Sequence, residues 1–66
     1  NYEALYRNFH LMRNHLNNDP KTILGIPHGI SCGLAGGNWE IVSAMINAIF
    51  ATPATYFTTY IVKLPE

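Results

Sequence analysis

The chain has 66 residues, a formal net charge of zero, 48% hydrophobic residues and 12% charged ones. That length supports one small domain with limited surface to bury. A single cysteine excludes an internal disulfide or a cysteine-rich zinc site, and four Lys/Arg against four Asp/Glu leave no basic stripe for nucleic acid.

Asn1 is a good N-cap type, and Tyr2, Leu5, Phe9, Met12 and Leu16 follow it at helical spacing. At 100° per residue these five fall within an arc of about 80°, with Tyr6 and Leu11 off the stripe. Asn17-Asn18-Asp19-Pro20 is a strong stop. An amphipathic helix over residues 2 to 17 is predicted. His10 and His15 are five apart on it, too far around the helix to share a metal. Arg7 and Arg13 read as separate solvated charges.

Thr22-Ile23-Leu24-Gly25-Ile26 is short and apolar without alternation, and meets Pro27. Such a run predicts a strand buried on both faces, as inside a parallel sheet. Pro27 to Gly37 then holds four glycines in eleven residues, too many for a regular element.

Asn38 is placed to cap a second helix over residues 39 to 50, with Glu40 in its first turn. Its residues are apolar on nearly every side, so burial by neighbours all round is expected. Ala51-Thr52-Pro53-Ala54 breaks it. Thr55 to Val62 is rich in Thr, Tyr, Phe, Ile and Val and predicts a strand, with Tyr56 and Tyr60 on one face.

The predicted fold class is therefore α/β, a helix followed by a parallel β-α-β unit with a right-handed crossover. Two parallel strands need covering on both faces, so the 66 residues read as part of a larger α/β domain, completed by further chain or by a partner chain. No apolar run approaches the about 18 residues of a membrane span. The start Asn1-Tyr2-Glu3 lacks a signal pattern, and with one cysteine this suits a cytoplasmic protein.

The glycine-rich stretch joins the carboxyl end of a strand to a helix start, where ligands of open α/β sheets bind. Glycines admit close backbone approach, and free N–H groups with the helix N-terminus favour an anion without any Lys or Arg. The common phosphate patterns G-x-x-x-x-G-K-[ST] and G-x-G-x-x-G are absent. A tight turn that merely needs glycine torsions is the plainer reading. Gly29-Ile30-Ser31-Cys32-Gly33 does fit G-x-S-x-G, the hydrolase nucleophile elbow. Against that, His10, His15 and His28 all precede Ser31, and the glycines continue past the point where the elbow helix must start. Cys32 with His28 is a further nucleophile pairing, set against a small, partly buried side chain. Trp39 suits either a stacked base or a wedge between helix and sheet.

Pro27 followed by Ile30-Ser31-Cys32-Gly33-Leu34-Ala35-Gly36 resembles the second ligand loop of macro domains, which are ADP-ribose-binding α/β modules. The wider stretch Pro27 to Phe50, with Gly36-Gly37-Asn38-Trp39 before Glu40-Ile41-Val42-Ser43-Ala44-Met45-Ile46, is similar to one branch of them. That branch holds the ADP-ribose-1″-phosphate phosphatases, the terminal ADP-ribose glycohydrolase and many bacteriophage proteins. The resemblance implies the carboxyl-terminal part of a three-layer macro domain, without a cofactor or metal. It further implies that Gly29, Ile30, Ser31, Cys32, Gly33, Leu34, Ala35, Gly36, Gly37 and Asn38 bind ADP-ribose or an ADP-ribosylated substrate. The family's catalytic aspartates fall on Ala35 and Asn38, neither of which is a carboxylate. Binding transfers better than hydrolysis, and helix capping is the expected role of Asn38. A non-enzymatic segment that docks its apolar helix on a partner is the alternative function.

Overall fold

A computed structural model describes residues 1–30, 37–63 and 65. Helix α1 spans Tyr2–His15, strand β1 Ile23–Pro27, helix α2 Trp39–Phe50 and strand β2 Thr58–Val62. The Asn1 side chain caps α1 by accepting from the Glu3 and Ala4 N–H groups at 2.9 and 3.3 Å. The helix stops at His15 rather than residue 17, because Leu16 is already extended (φ −81°, ψ 145°). Phe9 alone is buried from α1, while Leu5 and Leu16 are half-buried against the core.

The two strands pair in parallel, Ile23 opposite Thr58 through Pro27 opposite Val62. Backbone bonds lengthen this ladder at both ends, from Thr58 N–H to Thr22 O at 3.0 Å and from His28 N–H to Val62 O at 2.8 Å. The second strand begins three residues later than its composition suggests. A turn closes from Thr55 N–H to Thr52 O, and the Tyr56 N–H goes to Asn18 Oδ1 at 2.7 Å instead of to a strand. Asn18 Nδ2 also donates to Ala54 O at 2.8 Å, so one amide ties the α1–β1 connection to the α2–β2 connection.

One core cluster joins Phe9 of α1, Ile26 of β1, Val42, Ile46, Ile49 and Phe50 of α2, and Phe57. Both helices thus lie on the same sheet face, and the described residues form two layers. Burial of β1 on both faces is not found. Leu24 and Ile26 point inward, whereas Ile23 is 68% exposed and Gly25 and Pro27 are exposed with it. On β2 the residues in register with these, Thr58, Tyr60 and Val62, are exposed too. Helix α2 is likewise covered on one side only. Ile41, Ala44, Asn47 and Ala48 face outward because, among the described residues, its neighbours are one sheet face and α1.

Arg13 is not a free charge. Its Nη1 donates to Thr55 Oγ1 at 2.7 Å, and its guanidinium lies 5.6 Å from the centre of the Phe57 ring. Arg7 does stay at the surface, paired with Glu3 one turn earlier at 3.1 Å. So exposed a pair adds little stability.

Candidate functional site

The chemistry proposed from sequence sits between the carboxyl end of β1 and the start of α2. The ladder to β2 runs one residue past Pro27, through the His28 N–H, and the proline's missing donor falls on the edge away from β2, where it costs no ladder bond. The chain then turns sharply: Ile30 N–H returns to Pro27 O at 3.2 Å, and Gly29 adopts φ +78°. A Cβ at Gly29 would have nothing within 4 Å among the described residues, so glycine serves there for torsion and not for space.

At the far end Asn38 accepts from the Glu40 N–H through Oδ1 at 2.9 Å. Its carbonyl accepts from the N–H groups of Ile41 and Val42, both at 3.1 Å. Asn38 is therefore the N-cap of α2, as its residue type and place suggested. Asn38→Ala is expected to cost about 0.5–2 kcal/mol, and Asn38→Asp close to nothing. Urea unfolding followed by far-UV circular dichroism measures both.

Two contacts were not legible from spacing. The Asn38 N–H donates to the Tyr2 hydroxyl at 2.8 Å, across 36 positions of sequence. The His28 ring lies 4.6 Å from the Trp39 ring, tilted by 47°. His28 leaves β1 and Trp39 opens α2, so this ring pair closes the base of the glycine-rich connection. Trp39 is half-buried against the core, which is the wedge its position suggested.

Of the ten residues expected to bind ligand, Gly29, Ile30, Gly37 and Asn38 stand at the two ends just described. Ser31, Cys32, Gly33, Leu34, Ala35 and Gly36 lie outside the described residues, and with them the elbow pattern and the Cys32 pairing. The other singled-out residues are elsewhere. His10 packs edge-on against Tyr6 at 4.6 Å, and His15 Nδ1 meets Leu11 O at 2.8 Å. Tyr56 and Tyr60 are exposed, Tyr60 opposite Gly25 on the sheet's outer face.

Among the described residues no group of three or more His, Cys, Asp or Glu is placed to hold a metal. None of their helices is long and apolar enough to cross a membrane. No protein-family model matches the chain, and no curated protein or solved structure matches it.

Proposed function

We propose that this chain is the carboxyl-terminal part of a three-layer macro-type domain and binds ADP-ribose or an ADP-ribosyl group. One observation carries the reading: the Pro27–Asn38 connection leaves the carboxyl end of a parallel strand and enters a capped helix N-terminus. Ligands of open α/β sheets sit at such a junction, and anions are favoured there by unpaired N–H groups and the helix dipole. The motif from Ile30 to Gly36 names the ligand class. The neutral composition of this stretch fits a diphosphate held by backbone donors.

Calorimetry with ADP-ribose tests the reading. Binding is expected, accompanied by a rise in thermal stability; at a hundredfold excess over Kd the gain is about 2.7 kcal/mol. No heat and no thermal shift at millimolar ligand would remove the proposal. Hydrolysis or phosphatase activity is a separate matter, since residues 35 and 38 carry no carboxylate. Asn38→Asp keeps the cap and restores a carboxylate. Product release from ADP-ribose-1″-phosphate by that variant alone would assign the missing chemistry to this position.

A second reading, an interaction segment without catalysis, is favoured by the open side of the sheet. Ile23, Pro27, Tyr60 and Val62 are exposed there, and no charged side chain interrupts them. The contact surface would then be this sheet face, because the most apolar side of α2 is occupied by the chain's own core.

A further inference from the structure

We draw no further inference here: the strongest candidate, the exposed outer face of the two-stranded sheet with Ile23, Pro27, Tyr60 and Val62 on it, carries nothing, because nothing in the structure shows what covers it.

Discussion

Replacing Phe50 by alanine is expected to leave the chain without a cooperative unfolding transition. Phe50 is 3% exposed at the end of α2 and holds two aromatic contacts, to Phe9 of α1 at 5.9 Å and to Phe57 at 6.0 Å, both edge-to-face. It is the middle ring of this three-ring line and touches both of the others, so its removal separates α1 from the approach to β2. Truncating a buried phenylalanine costs about 3–5 kcal/mol, the removed transfer energy plus the cavity left behind. A chain of this size has about 3–10 kcal/mol in total, at 0.05–0.15 kcal/mol per residue. The loss therefore approaches the whole. Urea unfolding by far-UV circular dichroism checks this, with Leu11→Ala as the control. Leu11 is exposed on α1, and its truncation is expected to change stability by less than about 0.5 kcal/mol. A Phe50→Ala transition as steep and late as the native one would refute the central place of this ring.

The second large effect is a contrast within one strand. Ile26 is 2% exposed and belongs to the core, whereas Ile23, three residues earlier, is 68% exposed. Ile26→Ala is expected to cost about 2–4 kcal/mol, and Ile23→Ala less than about 1 kcal/mol through strand propensity alone. The same urea titration measures both. Equal losses at the two positions would mean that the outer side of the sheet is covered in solution, and the chain's own helices are not what covers it.

That contrast marks where sequence reasoning stopped. Thr22 to Ile26 shows no alternation, and an uninterrupted apolar run ordinarily means burial on two sides. The residues are suited to such burial, but the described residues bring helices to only one face. The same holds for α2, whose near-uniform apolarity implies neighbours, yet Ile41, Ala44 and Ala48 are exposed. Apolarity records what an element is fit to meet. It does not record what it meets.

Local chemistry was legible where it acts within a few residues. Asn1 and Asn38 cap their helices through their own side chains, and both helix starts fall where those residues place them. Parallel pairing was also legible, since a strand, a helix and a strand joined by so long a connection leave little else. Strand boundaries were not. Tyr56 has strand composition, yet its N–H is claimed by Asn18, a residue whose type suggested only a turn. Arg13 read as a solvated charge for the same reason: Thr55 and Phe57 come to it from 42 and 44 positions away, and spacing along one helix carries no sign of them.

For the candidate site, the sequence by itself determined the glycine-rich connection, its neutral charge, the capping asparagine and the resemblance that suggests an ADP-ribosyl ligand. Each of these depends on residue type and near neighbours, where torsional and hydrogen-bonding preferences act directly. Only the tertiary structure decided that His28 and Trp39 meet at the base of that connection, that Tyr2 reaches the Asn38 N–H, and that one face of the sheet stays open. These rest on packing between elements distant in sequence, and burial of the shared core around Phe9, Ile26, Val42 and Phe50 selects them.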